Sequence, residues 1–152
     1  MHDLRLMHRD LKLLNIFLCD DADMPRVKIG DLGLAVQLAP GETIVKKAGT
    51  IGFMAPEVVF QMPCDFKSDV YSLGIILYIL LSTHLPFEAE RYEGSGVKQL
   101  MRLEIPFEGP EWQGASPLVI DLLKHMLHRD PQQRFNIEQV CCHPWMAQVA
   151  GQ

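Results

Sequence analysis

The stretch Met7 to Phe17, MHRDLKLLNIF, sets Asp10, Lys12 and Asn15 within six residues, between apolar Leu11, Leu13, Leu14 and Ile16. A short loop that brings a base, a cation and an amide acceptor together suits chemistry on a phosphate. A solvated charged turn has a similar composition, so the stretch is a hypothesis until its context is read. A second carboxylate stands in Asp31-Leu32-Gly33, just past an apolar run. With Gly beside it, such a group can approach a metal-bound phosphate closely. Taken alone, that triplet is an ordinary turn.

The elements that must position these residues are short. Ile16-Phe17-Leu18-Cys19 and Val27-Lys28-Ile29 read as strands, and the acidic turn Asp20-Asp21-Ala22-Asp23 makes them a hairpin. A calcium loop is the other reading of that turn, but the Gly and distal Glu of an EF-hand are missing. Met1 to Met7 reads as the last turn of a helix, and Leu34 to Lys47 as irregular, with a turn at Pro40-Gly41. Ser68 and Asp69 are helix-start residues. The run that follows is apolar almost all round, which predicts a buried helix, and Asp69 at its start then needs a partner. Thr83 to Phe87 ends this helix.

Val97 to Met101 reads as a short helix. Ser116-Pro117 opens another, a capping Ser followed by Pro at the first helical position. Val119, Leu122, Leu123, Met126 and Leu127 give it a core stripe, and Asp130-Pro131 stops it. Asn136 and Gln139 resemble a capping box for a last helix ending before His143-Pro144-Trp145.

The chain has 152 residues, enough for one core, and at 48% hydrophobic it is not disordered. A formal charge of −5 with interspersed signs argues against nucleic acid or an anionic membrane as the main partner. The four cysteines fit no zinc or CxxC pattern and read as reduced thiols of a cytoplasmic protein. The histidines, His8 and His143 among them, show no zinc-ligand spacing. The N-terminus is too charged for a signal peptide. Val70 to Leu81 is too short for a span of about 20 residues.

His8, Arg9, Asp10, Leu11 and Asn15 together match His-Arg-Asp-Leu-x-x-x-Asn, and the chain therefore resembles a eukaryotic protein kinase at its catalytic loop. Asp31-Leu32-Gly33 is similar to the family's Asp-Phe-Gly, with Leu32 in place of Phe. Ala55-Pro56-Glu57 is similar to the Ala-Pro-Glu that closes the activation loop. SDVYSLG and DPQQR follow in family order. Nearly the whole chain is covered. The resemblance implies a mainly α fold: the helical C-terminal lobe, with short β-hairpins around the catalytic loop. Lys12 resembles the serine/threonine branch, and VKIGDLGLA and KSDVYSLGI lean toward its tyrosine-kinase-like group.

Several roles are implied by that resemblance alone. Asp10 would be the catalytic base, and Lys12 would neutralise charge on the transferring phosphate of ATP. Asn15 and Asp31 would hold Mg2+. Thr50 would contact Asp10 and Lys12, Asp69 the backbone of the catalytic loop, and Arg134 would pair with Glu57. Leu14 stands where kinases preferring basic substrates often have Glu, so a preference for Arg in the substrate has no support. The family's Gly-rich loop, strand Lys and helix Glu all lie upstream of the catalytic loop, and only seven residues precede His8. The expectation is therefore a lobe without its N-terminal partner, inactive by itself, with apolar surface along its top that the missing lobe or another partner would cover. The other reading is a non-catalytic kinase-like lobe that serves as a binding or scaffold module.

Overall fold

The computed structural model describes residues 1–20, 25–87 and 104–150. Two small antiparallel sheets flank the Asp10 loop. Strand β1 (Leu6–Met7) pairs with β4 (Val36–Gln37), in register Leu6 to Gln37 and Met7 to Val36. Strand β2 (Ile16–Leu18) pairs with β3 (Val27–Ile29), the hairpin read from sequence. Its turn, 21–24, lies outside the described residues, as does the expected helix Val97 to Met101.

The helices are α1 (Pro56–Val59), α2 (Lys67–Ser82), α3 (Pro117–Met126), α4 (Ile137–Cys141) and α5 (Pro144–Ala150). The long helix α2 is the axis. Val70, Tyr71, Ile75, Ile76 and Tyr78 are all buried along it, and α3 packs on it through Leu122 and Leu123. Gly74 allows that approach: a Cβ there would lie 2.7 Å from a methyl carbon of Leu127. The main core gathers Met7, Leu38, Met54, Val58, Tyr71, Ile75, Tyr78, Trp112 and Leu123. It thus ties the Asp10 loop and the stretch after Asp31 to the same helix. No helix among the described residues is long and apolar enough to cross a membrane. All four cysteines are free.

Caps explain the helix limits. Ser116 Oγ accepts from Leu118 N, and Asn136 and Gln139 form the expected reciprocal box. Thr83 ends α2 in the left-handed conformation.

Four sequence expectations are corrected. Helix α2 starts at Lys67, whose N–H is taken by Asp65 Oδ1 at 2.9 Å, so Asp69 lies inside the first turn and caps nothing. Met1 to Met7 is a 3-10 turn at His2–Leu4 followed by β1, because Leu6 and Met7 find a pairing partner far along the chain. That partner, β4, is a strand inside the stretch read as irregular. Strand β3 stops at Ile29, as read from sequence, and Asp31 beyond it caps a 3-10 turn at Leu32–Leu34. The chain does not stop being helical at His143-Pro144-Trp145, since Pro144 opens α5.

Candidate active site

The Asp10 loop is held from below by one buried carboxylate. Asp69, 1% exposed, accepts from His8 N at 2.7 Å and from Arg9 N at 2.8 Å. Its Oδ2 also meets His2 Nε2 at 3.0 Å. Arg9 takes up a positive φ of 73° there, a conformation that fixed hydrogen bonds can impose on a non-glycine residue. His8 is fully buried and works as a strut. Its Nε2–H donates to Gly30 O at 3.0 Å, and its Nδ1 accepts from Asp10 N at 3.2 Å. A carbonyl can only accept and an amide can only donate, so these two bonds set the neutral tautomer.

Asp10 is 8% exposed, and both of its carboxylate oxygens have donors. Thr50 Oγ1 donates to Oδ1 at 2.7 Å and Lys12 Nζ to Oδ2 at 2.8 Å, while Lys12 Nζ also donates to Thr50 Oγ1 at 2.9 Å. The result is a closed triangle of base, cation and hydroxyl drawn from two parts of the chain. Burial works to raise the Asp10 carboxyl, but the hydrogen bonds from Lys12 and Thr50 and the Lys12 charge outweigh it and hold it below its ordinary value. Asp10 is thus an anion throughout the neutral range. Gly49 makes the close approach possible. Its φ is 115°, and a Cβ there would lie 2.5 Å from Arg9 O.

Asn15 is buried, and its Nδ2 donates to Asp10 O at 2.8 Å. That bond turns Oδ1 into the oxygen left for another partner. Asn15 O accepts from Gly30 N at 2.9 Å, which sets Asp31 one residue beyond a point fixed against Asn15. Asp31 is exposed and left-handed, with φ of 58°, and one carboxylate oxygen accepts from Gly33 N at 3.3 Å. An amide oxygen and a partly free carboxylate are hard oxygen donors of the kind Mg2+ takes. The residues present therefore fit that ion.

All five sequence-selected residues are thus linked, Asp10, Lys12 and Thr50 directly and Asn15 and Asp31 through the backbone. The Glu57–Arg134 pair forms below them. Arg134 Nη1 and Nη2 donate to Glu57 Oε1 and Oε2 at 2.6 and 2.9 Å, and Ser68 Oγ donates to Oε1 at 2.8 Å. The guanidinium also lies 5.0 Å from the Tyr71 ring centre. Burial would raise the Glu57 carboxyl, yet the Arg134 hydrogen bonds and charge keep it below its ordinary value.

Sequence reading missed His2 and Arg5, which no motif marks, and it took Ser68, the first residue of SDVYSLG, as a helix start and not as a donor to Glu57; each acts through a backbone or carboxylate distant in sequence. A cavity of about 540 Å³ lies by Pro56, Tyr71, Ile105, Phe107 and Leu127, and none of the site residues lines it.

Comparison with known proteins bears on the family. The family model described as "Protein kinase domain" matches residues 1–146. Calcium-dependent protein kinase 28 of Oryza sativa subsp. japonica is 39% identical over 149 residues, 98% of this chain and 28% of that protein. Calcium/calmodulin-dependent protein kinase type 1B of Rattus norvegicus is 34% identical over 147 residues, 97% of this chain and 42% of that protein. The chain thus spans less than half the length of these curated relatives. Their names give no support to the lean toward the tyrosine-kinase-like group. A matching domain model over nearly the whole chain, together with relatives of this identity, places the chain in the protein kinase family.

Proposed function

We propose that this chain is the helical C-terminal lobe of a serine/threonine protein kinase and that it carries the residues that transfer the γ-phosphate of ATP to a Ser or Thr hydroxyl of a protein. The observation that carries this reading is the Asp10–Lys12–Thr50 triangle, with a carboxylate kept anionic at its centre.

Asp10 Oδ1 or Oδ2 accepts the hydroxyl proton or orients the hydroxyl for attack. Thr50 and Lys12 hold the carboxylate in place, and the Lys12 ammonium lies where negative charge on a transferring phosphoryl group would be met. Asn15 and Asp31 would hold Mg2+, which offsets charge between the phosphates when bound. The chemistry asks little covalent work of the protein, so alignment and electrostatics supply most of the rate.

Phe17, Leu18, Val27, Ile29 and Leu32 stand exposed on the β2–β3 hairpin and the turn after it. The register sets Leu18, Val27 and Ile29 on one face of the hairpin and Phe17 on the other, and exposed apolar side chains grouped on one face make a surface to be covered. It supports the view that a further lobe sits on this face and closes over the nucleotide. The 152 residues carry no Gly-rich loop ahead of His8, so as an isolated polypeptide they should bind ATP weakly and turn over negligibly. The expected setting is cytoplasmic, with a protein substrate, ATP and Mg2+ as partners.

The test is calorimetric titration of the isolated chain with ATP, with and without Mg2+, alongside a phosphate-transfer assay on a generic Ser/Thr substrate. Weak binding that requires Mg2+ and is lost in Asp31→Ala supports the reading. Binding that ignores both Mg2+ and Asp31 contradicts it and favours a non-catalytic module.

A further inference from the structure

The stretch between Asp31 and Thr50 must be held in register if both ends are to serve one site, and a single side chain outside every motif does much of that. Arg5 caps the His2–Leu4 turn in the left-handed conformation, with φ of 57°. Its carbonyl accepts from Leu38 N at 3.0 Å, and its Nε donates back to Leu38 O at 3.1 Å. Both backbone groups of Leu38 are thus bonded to one residue. Its Nη2 donates to Ala39 O. The guanidinium lies 5.0 Å from the ring centre of Phe66, the residue just before α2.

Leu38 is 2% exposed and belongs to the main core. It directly follows β4, whose pairing with β1 is only two residues long. Two ladder pairs alone make a weak attachment. The planar fork of Arg5 extends that attachment by two carbonyls and sets it against Phe66, the residue before the helix that carries Asp69. A Lys could supply donors from one nitrogen at that place, but neither the fork nor the stacking face.

We propose that Arg5 is a positioning residue for the proposed phosphoryl transfer. It locks Val36 to Ala39 against β1 and Phe66, so that the exposed stretch from Pro40 to Thr43 moves against a fixed anchor and not against the site. The next anchor is the Ile44–Cys64 bridge, where Ile44 N donates to Cys64 O at 3.0 Å and Cys64 N to Ile44 O at 2.9 Å. The inference rests on the kinase reading for its functional meaning, but its test does not.

Amide hydrogen exchange of the 152-residue chain, read residue by residue, is compared for wild type, Arg5→Ala and Arg5→Lys. Arg5→Ala should speed exchange at Gln37 and Leu38 at least tenfold while leaving Val70 and Leu122 unchanged, and Arg5→Lys should restore part of the protection. Phe66→Leu, which removes the ring under the guanidinium, should show a smaller effect at the same amides and serves if Arg5→Ala does not fold. Equal acceleration everywhere would make Arg5 a general stabiliser and overturn the proposal. So would unchanged exchange at Leu38. In a longer, active form of the protein, Arg5→Ala should lower kcat severalfold with little change in the KM for ATP. A loss of loop protection with kcat unchanged would leave the anchor standing but end its role in transfer.

Discussion

Removing Arg134 should destabilise the protein more than any surface substitution, and by an amount that depends on pH. The side chain is 1% exposed and makes five hydrogen bonds: two to Glu57 and one each to the carbonyls of His128, Lys67 and Arg129. Glu57 is 3% exposed. Arg134→Ala therefore strands a buried carboxylate that retains the Ser68 hydroxyl as a neutral donor. Breaking one side of a buried pair costs about 3–5 kcal/mol. For a domain of this size that is a fall in Tm of roughly 6–20 °C, at about 2–4 °C per kcal/mol.

The sign with pH follows from Glu57. Its folded carboxyl titrates below its ordinary value, so in the wild type its contribution is present above the unfolded value and lost as pH falls through the folded one. In Arg134→Ala only the Ser68 hydroxyl and a backbone hydrogen bond still oppose burial, and the carboxyl shifts upward. The variant then gains relative stability as Glu57 takes up a proton. The deficit should be largest near neutral pH and should shrink as pH falls into the ordinary carboxylate range. Thermal melts followed by circular dichroism at a series of pH values measure this. The double variant Glu57→Gln, Arg134→Met should lose less than the sum of its single losses, because it strands no charge. A Tm within about 2 °C of wild type for Arg134→Ala, or strict additivity in the cycle, would refute the reasoning.

Three further outcomes are expected. Gly74→Ala pushes a Cβ to 2.7 Å from Leu127 Cδ2 and 3.1 Å from Met126 Cβ, and overpacking of this kind should cost about 1–3 kcal/mol in chemical denaturation. Gly49→Ala faces both a φ of 115° and the carbonyl of Arg9 at 2.5 Å; it should displace Thr50 from Asp10 and move the Thr50 amide resonance well beyond the shifts of its distant neighbours. Asp69→Ala strands the buried amide of His8 and the part-buried amide of Arg9, at about 1–3 kcal/mol for a buried donor, and a melt unchanged from wild type would show that water replaces the carboxylate freely.

The side chains that the structure gathers at the candidate site were legible in the sequence, and much of the scaffold was not. Asp10, Lys12, Asn15, Asp31 and Thr50 carry side-chain signatures in fixed order, and the Glu57–Arg134 pair sits on motifs of the same kind. The Asn136–Gln139 box and the Ser116 cap are local, so spacing alone reveals them. Strands β1 and β4 are two residues each, too short for any alternation to register, and they exist only because they find each other across 30 residues of chain. Asp69 was read both as a helix start, because Asp is common there, and, from the resemblance, as the partner of the Asp10-loop backbone; the second role is the one formed, with two amides of that loop, while Asp65 takes the Lys67 N–H. Arg5 and His2 gave no signal, since their partners are carbonyls and a distant carboxylate.

The most direct test of the central claim is the rate of γ-phosphate transfer from ATP to a protein Ser or Thr, measured with these residues placed downstream of a nucleotide-clamping lobe. Wild type should reach a rate within the ordinary kinase range of about 1–100 per second. Asp10→Asn should lower that rate by about a hundredfold or more, with the fold and ATP binding preserved. An Asp10→Asn protein that transfers phosphate within a few-fold of the wild-type rate would contradict the assignment of Asp10 and, with it, the reading of the whole site.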